Sequence, residues 1–136
     1  MRLTEDNQIR ALLGRVRRIA VIGLSSKPER PSYEVSKALQ GFGYKIVPVN
    51  PNENAVLGEN AYENLARVPG AVDLVTVFRR PEYVPEIVDA CRAKPVAALW
   101  LQEGVVNESA AQRAAAAGID VVMDRCMFKE YRRLLE

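Results

Sequence analysis

Positive charge and hydroxyl groups gather in one short stretch of the chain, GLSSKPERPSYEV, which covers residues 23–35. Lys27 and Arg30 carry the charge, and several serines stand beside them. The stretch leads into a predicted helix at residues 32–42. The first N–H groups of a helix have no partner inside it, and they stabilise a nearby anion by about 0.3–1 kcal/mol. The stretch therefore favours binding of a phosphate or another anion.

A second group of cations, Arg79 and Arg80, follows another apolar stretch at residues 73–78. The guanidinium group can bind phosphate oxygens in a bidentate geometry. Two adjacent arginines do not enter one pocket easily, so we expect at least one of them to be a surface charge. Two cationic loops that follow neighbouring strands indicate an anionic ligand.

The same composition argues against catalysis. The chain contains no histidine, so histidine-based acid or base catalysis, a phosphohistidine and an imidazole metal site are excluded. Its two cysteines, Cys91 and Cys126, form no C-x-x-C pair, which argues against zinc. Glu103 has no evident partner, and we interpret it as a structural or ligand-orienting carboxylate. We therefore expect no catalytic residue, no metal site and no enzymatic activity of the isolated chain.

The apolar pattern predicts the elements that position these groups. Five buried strands are expected at residues 18–23, 44–49, 73–78, 96–101 and 119–123. Helical stretches alternate with them near residues 4–16, 32–42, 62–66, 82–93, 107–117 and 128–135. Continuous apolar strands separated by helices are typical of a parallel sheet covered on both faces. We predict an α/β fold: a single Rossmann-like, doubly wound domain over residues 1–136, with a five-stranded parallel sheet and residues 1–16 as a packed N-terminal helix.

Size and charge limit the other function classes. The chain has 136 residues, 49% of them hydrophobic, and a formal net charge of +2. That charge predicts no general attraction to nucleic acid, and we interpret Arg15, Arg17, Arg18 and the cations of the last eight residues as solvated. No apolar run approaches the roughly 20 residues of a membrane span, and no signal peptide opens the chain. We expect a cytoplasmic protein with a small-molecule ligand; the sequence identifies no protein partner.

In such sheets the ligand crevice lies at the carboxyl ends of the strands. A nicotinamide dinucleotide is the first candidate, but its Gly-x-Gly-x-x-Gly fingerprint is reduced here to Gly23. The acidic residue expected after the second strand is replaced by Asn50, Pro51 and Asn52. No G-x-x-x-x-G-K-[ST] phosphate loop occurs either. NAD(P) or another adenine nucleotide, bound by a regulatory protein, therefore remains the alternative.

Five stretches of the chain, in order, match a known family: AVIGLSSKPERPSYEV, VPVNPN with LGE behind it, DLVTVFRRPEYVPEIV, ALWLQEGV and VVMDRC. Together they run over residues 20–126. On these stretches the chain resembles the small stand-alone CoA-binding proteins, whose domain is similar to the N-terminal CoA-binding domain of the succinyl-CoA synthetase alpha subunit. The phosphorylated histidine of the synthetase belongs to a second domain that has no counterpart here. The resemblance therefore implies binding of CoA or an acyl-CoA without the ligase chemistry.

The resemblance also implies a role for each loop. The 23–32 loop takes the phosphates, Asn50 and Pro51 border the adenosine, and residues 102–104 lie along the pantetheine. The residues that we predict to bind CoA are Gly23, Leu24, Ser25, Ser26, Lys27, Arg30, Pro31, Ser32, Tyr33, Asn50, Pro51, Phe78, Arg79, Arg80, Pro81, Val84, Gln102, Glu103, Gly104 and Cys126.

Several of these residues also have a structural interpretation. Lys27 and Arg30 are either ligand contacts or solvated loop charges. Ser32 is an N-cap of the helix, a phosphate ligand or both. Tyr33 and Trp100 are interpreted as core or rim aromatics rather than platforms for adenine.

The two cysteines lead to different expectations. Cys91 lies on an apolar helical face and is predicted to be core. Cys126 follows the fifth strand next to Arg125, where it is either an inert packed thiol or a perturbed one. If strands one, four and five are neighbours, the CoA sulfur ends close to Cys126, and the two sulfurs can form a mixed disulfide under oxidising conditions.

Overall fold

The computed structural model describes residues 1–136 as alternating strands and helices. The helices are α1 (Asp6–Arg15), α2 (Pro31–Gly41), α3 (Val84–Ala93), α4 (Glu108–Ala116) and α5 (Met127–Leu135). The strands are β1 (Arg18–Ile22), β2 (Lys45–Val49), β3 (Ala55–Val56), β4 (Glu59–Asn60), β5 (Leu74–Val77), β6 (Ala98–Leu101) and β7 (Asp120–Met123). Two 3₁₀ turns lie at Leu65–Arg67 and Pro81–Tyr83.

Five strands form one parallel sheet in the order β2-β1-β5-β6-β7. The predicted fold is confirmed, and the predicted third, fourth and fifth strands are β5, β6 and β7. The chain leaves β1 toward β2 and then returns to the other side of β1 as β5. The carboxyl ends of β1 and β5 therefore border the switch point at which such folds bind ligands.

The strand order corrects one expectation. The first strand is not a neighbour of the fourth and fifth, because β5 lies between β1 and β6. A ligand arm that starts at the β1 loop must pass the end of β5 before it reaches the loops after β6 and β7.

Alternation along the strands builds a core on each face of the sheet. Ala20 and Val75 belong to the core under α3 and α4, whereas Ile19 and Leu74 belong to the core under α1, α2 and α5. Trp100 is completely buried in the second core. Because both faces are covered, only the two ends of the sheet are open to a ligand.

The connection after β2 differs from the expectation. A helix was predicted at residues 62–66, but Tyr62 forms a parallel bridge with Val49, and the turn that follows is a short 3₁₀ helix whose Asn64 side chain accepts the N–H of Arg67. The antiparallel pair β3-β4 before it was not predicted. Two-residue strands are too short to leave a periodic signal.

Two smaller features support the predicted arrangement. Pro48 lies in β2, which is an edge strand of the five-stranded sheet, so its missing N–H costs little there. The N-terminal helix α1 packs against α5, and Leu3 before it donates its N–H to Val121.

None of the helices has the length and apolar character needed to cross a membrane.

Candidate functional site

Two clefts open at the carboxyl edge of the sheet, and Gly23 lines both of them. The larger, called here the α3 cleft, has a volume of about 630 Å³. It is lined by Ile22, Gly23, Val49, Asn50, Pro51, Asn52, Glu63, Asn64, Leu65, Arg79, Glu86, Ile87 and Ala90. The smaller, the α2 cleft, has a volume of about 460 Å³. It is lined by Gly23, Ser25, Arg30, Pro31, Ser32, Phe78, Gln102, Glu103 and Val105.

Gly23 is required where the two clefts meet. Its φ is +89°, and a Cβ atom at this position would lie 2.5 Å from the carbonyl oxygen of Phe78 and 3.1 Å from Cδ of Arg79. Its own N–H donates to the carbonyl of Val49 at 2.9 Å. The glycine therefore lets the chain after β5 lie directly against the chain after β1, which brings the Arg79 side chain into the α3 cleft.

The backbone of the 23–32 loop is already hydrogen-bonded within the protein. Ser25 N–H donates to Oγ of Ser32 at 3.1 Å, and Lys27 N–H donates to Oγ of Ser25 at 3.1 Å. Ser26 N–H donates to the Glu53 carboxylate at 2.8 Å. Dinucleotide loops offer free N–H groups, whereas this loop uses most of its N–H groups to hold its own shape. An anion bound here therefore relies more on side chains, on the helix end, or on displacing an internal partner.

Ser32 has a different role from the predicted N-cap. It is the second residue of α2, and the N-cap position is occupied by Arg30, whose side chain makes no cap hydrogen bond. The Ser32 side chain is buried and accepts from Ser25 across the loop. Its backbone N–H has no acceptor within the protein and lies at the helix N-terminus. The hydroxyl therefore shapes the loop, and the N–H remains available to an anion.

The four predicted cations are arranged unequally. Lys27 and Arg30 are exposed, and neither forms an ion pair, so their charges are available to a ligand. Arg79 lines the α3 cleft with its guanidinium 4.2 Å from the ring centroid of Tyr83. Arg80 is exposed and lines neither cleft. This arrangement fits the expectation that at least one of the two arginines is a surface charge.

Asn50 connects the loops after β1 and β2. Its Nδ2 donates to the carbonyl of Leu24 at 3.0 Å, and its Oδ1 accepts the N–H of Asn52 at 3.0 Å. The Leu24 side chain is fully buried, so only its backbone faces this junction. Pro51 beside them is exposed and lines the α3 cleft.

Gln102 is 3% exposed and bonded inside the protein. Its Nε2 donates to Oγ1 of Thr76 at 2.7 Å, and its Oε1 accepts the N–H of Met127 at 3.2 Å. The residue thus ties β5, β6 and the start of α5 together below the α2 cleft. Val84, another predicted contact, is fully buried in the core under α3. Gln102 therefore lines the α2 cleft with its polar atoms already bonded, whereas Val84 lines neither cleft.

The far end of the α2 cleft carries a paired carboxylate. Glu103 accepts from Nζ of Lys129 at 3.0 Å, and this hydrogen bond raises the pKa of Lys129. Gly104 donates its N–H to Asp124 at 2.8 Å. Cys126 is half-buried at the N-cap of α5 and lines neither cleft.

The remaining predictions concern one thiol and three aromatic side chains, which are buried or half-buried. Cys91 is completely buried in the core, as predicted, and burial raises the pKa of its thiol to about 12. Trp100 is core and donates its indole N–H to the carbonyl of Arg125 at 2.8 Å. Tyr33 and Phe78 are half-buried, and both pack against the core under α2.

Several cleft residues were missed by the sequence analysis. They are Glu63, Asn64, Leu65, Glu86, Ile87 and Ala90, which complete the α3 cleft. None of them follows a strand directly: Glu63 and Asn64 lead into the 3₁₀ turn after β4, Leu65 begins it, and the other three lie in α3. The residues one turn into the helix after β5 could have been considered, because that helix begins at the same edge of the sheet.

No group of His, Cys, Asp or Glu side chains is arranged to hold a metal ion.

The chain is similar in sequence to a protein family and to individual known proteins. The model of a family described as a CoA binding domain matches residues 17–132. The chain is 42% identical over 120 residues to the uncharacterized protein YneT of Bacillus subtilis, covering 88% of this chain and 89% of that protein. It is also 40% identical over 81 residues to the alpha subunit of acetate–CoA ligase (ADP-forming) II of Pyrococcus furiosus. That match covers 59% of this chain and only 18% of the ligase subunit.

Solved structures share the fold over nearly the whole chain. A hypothetical protein from Pyrococcus horikoshii superimposes with a TM-score of 0.94 at 36% identity, covering 98% of this chain and 94% of that one. A Thermus thermophilus protein gives a TM-score of 0.92 at 34% identity, covering 97% of this chain and all of that one.

Proposed function

The chain belongs to the CoA binding domain family, and from that premise we propose that it binds coenzyme A or an acyl-CoA at the carboxyl edge of its sheet. One observation carries the proposal beyond family membership: two clefts meet at Gly23, beside the N-terminus of α2. CoA has two arms joined by a pyrophosphate. A ligand of that shape fills both clefts when its pyrophosphate lies over their junction.

The charges at the junction match the ligand. CoA carries roughly four negative charges near neutral pH, since the second ionisation of a phosphate monoester lies near pH 6. Lys27 and Arg30 have no ion-pair partner, and the Ser32 N–H points from the helix end. We place the phosphates among these three groups, with Arg79 reaching them from the α3 cleft.

The two clefts suit the two arms. Leu65, Ile87 and Ala90 give the α3 cleft an apolar wall, while Nδ2 of Asn64, which donates to no protein group, supplies a hydrogen-bond donor for the adenosine. The α2 cleft is lined by Phe78 and Val105 and extends to Glu103, which gives the pantetheine arm both apolar and polar contacts. We therefore assign the adenosine to the α3 cleft and the pantetheine to the α2 cleft.

We propose that binding is not followed by chemistry on the ligand. Glu103 is paired with Lys129, so it has no free base or nucleophile as a partner. We expect no CoA-ligase, acyltransferase or dehydrogenase turnover by the purified chain; synthesis of succinyl-CoA by that chain alone overturns this part. The proposal includes a cytoplasmic location, where two free thiols such as Cys91 and Cys126 remain reduced.

One observation favours a second candidate, an adenine dinucleotide such as NAD. Glu63 and Glu86 line the α3 cleft, and carboxylates accept hydrogen bonds from free ribose hydroxyls. The ribose of NAD offers such hydroxyls, whereas the ribose of CoA carries a phosphate at the 3′ position. Arg79 in the same cleft opposes this preference, because it favours a phosphate.

A thermal-shift panel with CoA, acetyl-CoA, NAD, NADP and ATP separates the two candidates. A ligand that binds only the native state raises its stability by mass action. We expect CoA or acetyl-CoA to raise the melting temperature more than NAD at the same concentration. Equal shifts, or a larger shift with NAD, contradict the CoA assignment.

A further inference from the structure

A carboxylate already occupies part of the loop to which we assign the phosphates. Oε2 of Glu53 accepts the N–H of Ser26 at 2.8 Å. Ser26 is exposed and Glu53 is half-buried, so the contact lies at the rim of the site and not in the core. A phosphate oxygen would make the same kind of charge-assisted hydrogen bond to that N–H.

The position of Glu53 is fixed by the turn that follows β2. Its N–H donates to the carbonyl of Asn50 at 3.2 Å, which closes the turn. Asn50 in turn donates to the carbonyl of Leu24 at 3.0 Å. The β2 turn is therefore anchored to the β1 loop by Asn50, and the Glu53 contact is a second link between them that can open without releasing the first.

Glu53 also has no cation of its own. It forms no ion pair, although the loop that it contacts carries Lys27 and Arg30. Its only hydrogen bond from the protein to the carboxylate comes from Ser26 N–H. A carboxylate in this position lowers the positive potential of the loop and occupies one of its donors.

We infer that Glu53 sets the affinity of the loop for phosphate: the ligand's phosphate takes over the Ser26 N–H, and the carboxylate must leave. This inference rests on the proposed function. In the free protein Glu53 occupies the Ser26 N–H, and only a ligand with enough negative charge to engage the loop cations displaces it. The residue thereby selects against weakly charged ligands at the cost of some affinity for the correct one.

The test is calorimetric titration of the full chain with CoA, and separately with inorganic pyrophosphate. Glu53→Gln removes the charge but keeps a hydrogen-bond acceptor of the same shape, so the fold is retained. Like charges several ångströms apart at a solvated surface repel by an amount that corresponds to about a five-fold change in affinity. We therefore expect Glu53→Gln to bind both probes about five-fold more tightly than the wild type.

Glu29→Gln is the matched control, because Glu29 is an exposed carboxylate of the same loop and makes no hydrogen bond to it. We expect it to change affinity by less than about two-fold. An equal gain in both variants overturns the inference, since general electrostatics then explains it; so does unchanged or weaker binding by Glu53→Gln. The use of two probes distinguishes a failure of the inference from a failure of the proposed function. Pyrophosphate binding that tightens in Glu53→Gln without any CoA binding supports the inference and refutes the CoA assignment, whereas no binding of either probe overturns both.

Discussion

The two ends of the sheet use similar charged residues in opposite ways. At the amino end, the Asp73 carboxylate accepts the N–H groups of Arg17 and Arg18 at 2.9 and 2.8 Å. The Arg18 guanidinium donates to the carbonyls of Pro69 and Ala71, each at 2.8 Å. The protein itself therefore satisfies the charges of Asp73 and Arg18.

The carboxyl end leaves two of its cations without such partners. Lys27 and Arg30 are exposed without an ion pair, and the clefts on either side of Gly23 stay open. An isolated charge in water contributes little to stability. Lys27 and Arg30 do not support the fold, and Arg30 lines the α2 cleft, so both charges are available for a ligand. The Arg18 guanidinium is already bonded and is not available. The difference lies in the partners of each residue and not in the residue type.

The largest expected loss of stability comes from Gly23→Ala at the carboxyl end of the sheet. The new Cβ would meet the Phe78 carbonyl at 2.5 Å, and the residue must also keep a φ of +89°. We expect a loss of about 3 kcal/mol in the free energy of unfolding, measured with urea. Gly118→Ala is the control at the amino end: its φ is +88°, but nothing lies within 4 Å of the added Cβ. It should cost about 1 kcal/mol; equal losses in the two variants would show that the close approach of the β5 chain is unimportant.

Gln102→Leu tests whether this residue supports the carboxyl end from inside. It leaves Met127 N–H and Thr76 Oγ1 without their partner in a buried setting. We expect a loss of about 2 kcal/mol in unfolding free energy. Thr76→Val alone and combined with Gln102→Leu completes a double-mutant cycle, in which the combined loss should be smaller than the sum. Unchanged stability with a large loss of CoA affinity would instead make Gln102 a ligand contact.

The double variant Lys27→Ala, Arg30→Ala tests whether the free cations are the binding charges. We expect CoA to bind about 20-fold more weakly at low salt, with a smaller loss as salt rises, because partly exposed charges are screened. The measurement is titration calorimetry at two ionic strengths. Arg18→Ala, at the opposite end, should lower stability and leave CoA affinity unchanged. Equal CoA affinity in the wild type and the double variant removes the 23–32 loop as the phosphate site.

The smallest expected effect is covalent modification of the two thiols. Cys91 is completely buried, and burial raises the pKa of its thiol to about 12, so almost no thiolate forms at neutral pH. Cys126 is half-buried at the carboxyl end. Because Cys126 is the more accessible thiol but lines neither cleft, we predict that CoA disulfide forms at most a partial mixed disulfide with it: a Cys126 thiolate attacks one sulfur, and one CoA leaves as a thiol. Intact mass should show an adduct in Cys91→Ser that is absent in Cys126→Ser. An adduct that persists without Cys126, or none at all, leaves Cys126 as a packing residue.

The sequence by itself determined the five strands of the parallel sheet and the family, but not the connection after β2. Apolar runs such as residues 19–22 are strong local signals, because a strand buried on both faces needs continuous apolar side chains. Each predicted strand matches an observed one within about two residues. The stretches around Gly23, Asn50 and Arg79 placed the candidate site at the ends of those strands, since parallel strands all end at one edge.

The tertiary structure decided which side chains at that edge are free. From the sequence, Gln102 and Ser32 are predicted ligand contacts. In the structure the Gln102 side chain bonds to Thr76 and Met127, and the Ser32 hydroxyl accepts from Ser25. Glu53 gave no signal, and only the fold brings its carboxylate to Ser26. The physical reason is range: helix and strand preferences depend on near neighbours in the chain, whereas hydrogen-bond satisfaction depends on groups from distant segments that meet only when the sheet is assembled.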